Sequence, residues 1–205
     1  MRKYELTEET KMLAGGTVLH RVRALMDISR YGVKSGDLGG WIEKYYNLSQ
    51  DGDAWVFGDA KVSGDAKVCD NARVFGDARV FGDALVCDNA RVFGDARVFG
   101  DALVCDNARV SGDALVLGDA EVSGDAEVSG KADYMTFKNS WSSGRSFTYT
   151  RSNRMWKVGC FYGTGEELIK KAYADSELSG RCYEAIVRAV ETIESAKAEE
   201  KGETK

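Results

Sequence analysis

The chain has 205 residues, with 23 Gly, no Pro and a formal charge of −5. An apolar share of 43% with 10% aromatic residues excludes wholesale disorder, and Gly far below one third excludes collagen. The acidic balance does not favour direct duplex DNA binding, which usually draws on a basic surface.

Residues 1–52 read as an N-terminal β cap. Lys3 to Thr7 and Val18 to Ala24 have strand character around a Gly15-Gly16 turn. The segment GDLGGWIEKYYNLS (Gly36 to Ser49) follows, with Trp41, Ile42, Tyr45 and Tyr46 available to cover the end of the next unit.

From Asp53 to Gly130 the chain is a run of thirteen uninterrupted hexads, beginning DAWVFG, DAKVSG, DAKVCD, NARVFG and ending in DAEVSG twice, with KADYMT from Lys131 as a decayed last copy. Each hexad has Ala at its second place and Val at its fourth. In an extended segment alternate side chains share a face, so Ala and Val form the inward pair. Gly-Asp or Asp-Asn supplies the corner, because Gly and Asn tolerate positive φ. A four-residue strand plus a two-residue corner, three times over, closes a triangular coil of 18 residues. The expected fold is mainly β: a left-handed parallel β-helix of hexapeptide repeats with about 4 to 5 coils, spanning residues 53–136. A second period supports the triangle, since Cys69, Cys87 and Cys105 recur 18 apart, as do the corners at Asp70, Asp88 and Asp106.

Residues 137–205 read as a small C-terminal α+β domain. SFTYTR (Ser146 to Arg151) and MWKVGCFYG (Met155 to Gly163) suggest a strand pair, and Thr164 with Glu167 forms a capping-box signature for a helix. Cys182, Ile186, Val190 and Ile193 trace one face of a second helix, and the charged tail AKAEEKGETK is expected to fray.

YELTEETK, GDLGGWIE, the Val-x-Gly-Asp-Ala run and GCFYGTGEEL together resemble a family of hexapeptide-repeat proteins of bacteriophages, prophages and their bacterial hosts. That family has no agreed activity. The resemblance implies a phage setting, where small binding proteins that disarm host defences are common.

Enzymatic readings find little support in the residues. Hexapeptide acyltransferases, which the hexads resemble, use a His near a loop extruded from a coil, whereas the single His here is His20 in the cap and the run Asp53 to Gly130 is unbroken. Carbonic-anhydrase relatives need three His ligands for zinc. The Asp columns (Asp59, Asp77, Asp95, Asp113 and Asp65, Asp83, Asp101, Asp119) read as turn formers rather than calcium ligands or a nucleic-acid mimic, and the Cys column as contact surface. No metal and no cofactor is expected. The five Cys lack C-x-x-C spacing and are expected as reduced thiols. No stretch approaches the roughly 18 apolar residues of a membrane span, and the polar start is unlike a signal peptide, so a cytoplasmic location and no membrane partner are expected.

The outward faces carry the functional expectation. One pairs Arg73, Arg91 and Arg109 with Phe57, Phe75 and Phe93; the second sets Arg79 and Arg97 beside Phe81 and Phe99, with Leu115 and Leu117 beyond; the third carries Leu85, Cys87, Leu103 and Cys105. Such ladders would expose more apolar area than a monomer usually tolerates. Hexapeptide-repeat relatives are typically trimers, so the third face is assigned to self-association. The Phe and Arg faces are left for a host protein or a nucleotide ligand. The expectation is a non-enzymatic oligomeric binding protein, with a self-assembling structural protein as the alternative and an acyltransferase-like enzyme as a distant one.

Overall fold

The computed structural model describes residues 2–202. A β-solenoid with parallel sheets forms its centre, closed by an N-terminal hairpin below and a four-stranded antiparallel sheet with two helices above.

Three faces stack rung upon rung. The first holds β4 (Trp55–Val56), β7 (Arg73–Val74), β10 (Arg91–Val92), β13 (Arg109–Val110) and β16 (Glu127–Val128). The second holds β5 (Lys61–Val62), β8 (Arg79–Val80), β11 (Arg97–Val98) and β14 (Leu115–Val116); the third holds β6 (Lys67–Val68), β9 (Leu85–Val86), β12 (Leu103–Val104) and β15 (Glu121–Val122). The regular strands are two residues long rather than four, but the flanking residues also bond to the next rung, as in Arg73 N–H to Ala90 O at 2.9 Å and Phe75 N–H to Val92 O at 3.0 Å. Every repeat Ala and Val from Ala54 to Val128 is fully buried, which confirms the inward pair.

Gly takes positive φ at the Gly-Asp corners, but at the other corners it is Asp70, Asp88 and Asp106 (φ 58, 56 and 57°), not the Asn, that does so. The following Asn residues stack instead: Asn71 Nδ2 donates to Asn89 Oδ1 and Asn89 Nδ2 to Asn107 Oδ1, both at 3.5 Å.

Below, β1 (Tyr4–Met12) and β2 (Val18–Ala24) form an antiparallel hairpin that continues through β3 (Leu38–Ile42) onto the second face. The parallel ladder therefore reaches back ahead of Asp53, with Trp41 opposite Lys61 and an isolated bridge from Leu48 to Val68. Gly39 permits this closure, since a Cβ there would lie 2.5 Å from Val22 and 2.6 Å from the Val56 carbonyl. Trp41 and Ile42 are buried as expected, but Tyr45 and Tyr46 are exposed: the floor is made by Tyr4, whose hydroxyl donates to Leu48 O at 2.7 Å, and by Lys3, whose Nζ donates to the carbonyls of Gly52 and Ala54 at 3.2 and 3.0 Å.

Above, KADYMT is no further coil. β17 (Tyr134–Lys138) leaves the solenoid to pair antiparallel with β18 (Ser146–Thr150), which continues to β19 (Met155–Val158) and β20 (Phe161–Gly163). The expected strand pair is thus four strands. Thr164 caps α1 (Gly165–Asp175) in the anticipated reciprocal arrangement with Glu167. α2 (Glu177–Gly202) buries Val187 and Val190 against Phe147, Trp156 and Leu168, while Ile193 faces solvent. The helix runs on through most of the tail expected to fray, whose last three residues lie outside the described residues. No helix among the described residues is long and apolar enough to cross a membrane.

Candidate binding faces

On the first face Arg73, Arg91 and Arg109 stand directly above one another. Two adjacent rungs place like charges about 4.8 Å apart, a repulsion that must be offset by something. At the top Glu127 does so, accepting from Arg109 Nη1 at 2.8 Å. Arg91 has no acidic partner among the described residues, and burial together with its neighbours Arg73 and Arg109 pulls its guanidinium below the ordinary value.

Beside this column Phe75 and Phe93 stack with centroids 4.8 Å apart and planes 1° from parallel. The stacked rings cover one another in part, and every repeat Phe is half-buried.

The N-terminal segment adds two residues that the repeat pattern could not reveal. A short 3-10 turn, Ser29–Tyr31, sets Tyr31 edge-on to Phe57 at 6.1 Å, and its hydroxyl donates to the Asn71 carbonyl. The Arg73 guanidinium lies over the Tyr31 ring, 4.7 Å from its centroid, and Arg30 reaches Asn89 Oδ1 at 2.9 Å. Arg30, Tyr31, Phe57, Arg73 and Phe75 together line a concavity of about 470 Å³. Two cations above aromatic walls suit a ligand with a flat ring and a negative charge. The sequence signal was Arg-Tyr-Gly in an otherwise aperiodic loop, too short to stand out.

On the second face Arg79 and Arg97 are exposed, and Phe81 stacks on Phe99 at 4.8 Å. Leu13 and Ala14, at the hairpin tip, border the same hollow as Arg79 and Phe81. On the third face Leu85 and Cys87 are half-buried, while Leu103 opens into a concavity of about 570 Å³ whose other wall is Lys138, Ser146, Lys157 and Cys160 of the C-terminal sheet. Cys105 retains 8% exposure. The C-terminal unit therefore overhangs the upper part of the face expected to pair with other subunits. His20, on β2, is held by the Thr7 carbonyl, 3.2 Å from Nδ1.

Residues 72–88 and 90–106 match the YdcK beta-solenoid repeat. The match is to the coils alone, and it agrees with the parallel rungs built by those residues. No curated protein matches the chain.

Proposed function

We propose that the protein is a non-enzymatic scaffold of phage or prophage type whose first face captures an anionic, ring-bearing host component: a defence effector that presents such a group, or its nucleotide signal. The observation that carries this reading is the Arg73–Arg91 pair, stacked without an acidic partner beside the parallel Phe75 and Phe93 rings and adjoining the Tyr31 concavity. A phosphate between the guanidiniums would relieve their repulsion, and a base on the aromatic rings would gain stacking energy of about 1–3 kcal/mol. The phage setting rests on the resemblance of the YELTEETK, GDLGGWIE and GCFYGTGEEL segments; a host-cytoplasmic location follows from that setting. The non-enzymatic reading draws on the engagement of the lone His20 in the hairpin.

The test is calorimetric titration with a panel of mono-, cyclic and oligonucleotides. Arg73→Glu with Arg91→Glu should weaken the tightest ligand by about a hundredfold, near 3 kcal/mol, with the circular dichroism spectrum unchanged. Binding that survives the double reversal removes the first face from the mechanism.

Self-association through the lower third face, with a trimer favoured, accompanies this reading. The half-buried Leu85 and Cys87, clear of the C-terminal overhang, support it. A Leu85→Lys variant that sediments at the wild-type mass would exclude that surface.

A further inference from the structure

In the C-terminal unit, β18, β19 and the two helices leave between them a cavity of about 350 Å³. Its floor is aromatic: Tyr149 and Trp156 stand opposite one another on neighbouring strands, ring centroids 5.1 Å apart, and are only 6% and 2% exposed. Val187 and Val190 of α2 make an apolar wall. Gly165, the first residue of α1, completes the lining, where a Cβ would lie 2.6 Å from Val187 Cγ1.

The groups around this space hold unused donors. Neither the Tyr149 hydroxyl nor the Trp156 indole N–H has a hydrogen-bond partner among the described residues, although both side chains are more than nine-tenths buried. Burial and the neighbouring Glu194 push the Tyr149 hydroxyl above its ordinary value, so it stays a donor at neutral pH. The Trp156 nitrogen stands beside Gly165, 3.4 Å from where a Cβ on that residue would sit, and an amide at a helix start has no intrahelical acceptor. A third side-chain donor is Arg154, which has no acidic partner among the described residues. Arg154 holds this place against the preference of its backbone. It ends the loop between Thr150 and Met155 with φ 55°, a conformation that Gly or Asn adopts more readily. Such strain persists where a site uses the residue.

Two carboxylates also line the cavity, but each already has a cation: Glu194 accepts from Arg151 Nε at 2.7 Å, and Glu191 from Arg188 Nη1 at 2.9 Å. Arg154 is therefore the surplus charge. It matches one negative group, whereas a phosphate dianion would face the two glutamates at close range. We propose that the cavity binds a small organic acid, a monocarboxylate on a flat apolar body. Arg154, Tyr149 and Trp156 donate to the carboxylate, and the body lies between the Trp156 ring and the two valines of α2. This site is separate from the first face and would give the protein a second class of ligand.

The probe is hydrocinnamate, titrated into the isotope-labelled full-length chain and followed by nuclear magnetic resonance. The chain has four Trp. The assigned indole N–H signal of Trp156 should move saturably, with millimolar affinity, while those of Trp41 and Trp55 at the base of the solenoid stay in place. Hydrocinnamamide keeps the body but loses the charge, and should bind at least about tenfold more weakly. Arg154→Gly should weaken hydrocinnamate by about the same factor and yet hold or raise the thermal midpoint, because it removes the left-handed strain. A residue serving the fold alone would give the opposite pair, unchanged affinity with a lower midpoint. A Trp156 signal that stays still in the folded wild type, an amide that binds as well as the acid, or an Arg154→Gly variant with undiminished affinity would overturn the site.

Discussion

The corner residues set the local tolerance of the solenoid. Gly82 has φ 75°, and a Cβ on it would meet the Gly100 amide nitrogen at 2.9 Å. Gly82→Ala should therefore cost about 2–3 kcal/mol, combining left-handed strain with a backbone clash. Asp88 already carries a Cβ in the same conformation, so Asp88→Gly exchanges relief of about 1 kcal/mol for loss of one hydrogen bond of similar size. It should be near neutral, and urea denaturation of both variants checks the contrast. Lys3 offers a second residue-scale test. Burial lowers its ammonium to about 8 from 10.5. Between these values the unfolded chain holds the proton and the folded chain does not, so stability should rise with pH across that window, by up to about 3 kcal/mol. Below pH 8 the burial penalty is present in full. The increment should vanish in Lys3→Met, measured as the difference between the two denaturation curves at each pH.

Elements differ in how openly the sequence declared them. The Ala/Val core was readable to the residue, because inward and outward positions repeat without exception from Asp53 onward. Tyr31 on Phe57 was not, since a single loop residue has no period to betray its destination. KADYMT misled for a related reason: it keeps an Ala at the repeat position while its Tyr134 and Phe137 already belong to an antiparallel strand. The Phe ladders were legible from their spacing, but not the extent to which stacked rings cover one another. The upper cap was legible as a separate unit, but not its manner of attachment. Side-chain hydroxyls, not a further strand, satisfy the last rungs: Thr148 Oγ1 accepts from Glu121 N–H at 2.8 Å and Ser152 Oγ from Glu127 N–H at 2.7 Å. Thr148→Val with Ser152→Ala should lose about 1 kcal/mol per bond. It should also leave a template for pairing with another chain, seen as growth in light scattering with time.

At the scale of the whole molecule, charge is unevenly spread. Residues 53–130 carry a net −8 against −5 for the chain, although their Arg columns are stacked on two faces. An anionic ligand would be steered locally while the acidic corners repel unspecific nucleic acid, so any binding at the first face should weaken steeply with salt. The 18-residue coil also makes length a separable property. Deleting residues 72–89 joins Asn71 to Ala90, which restores an Asn-Ala junction with every column still in register. Such a variant should fold and melt cooperatively with one rung fewer per face. Deleting residues 72–77 should unfold or aggregate, because each later strand would turn onto the wrong face and Cys87 would no longer stand above Cys69. Thermal denaturation by circular dichroism distinguishes the two.

That register has a wider meaning. Because the columns survive only in steps of a full coil, evolution can lengthen the Arg and Phe face by copying one coil, adding about 4.8 Å of reach with each copy. The solenoid is thus a ruler whose graduations are written in the gene as blocks of 18 codons, and the number of blocks sets the length of the face.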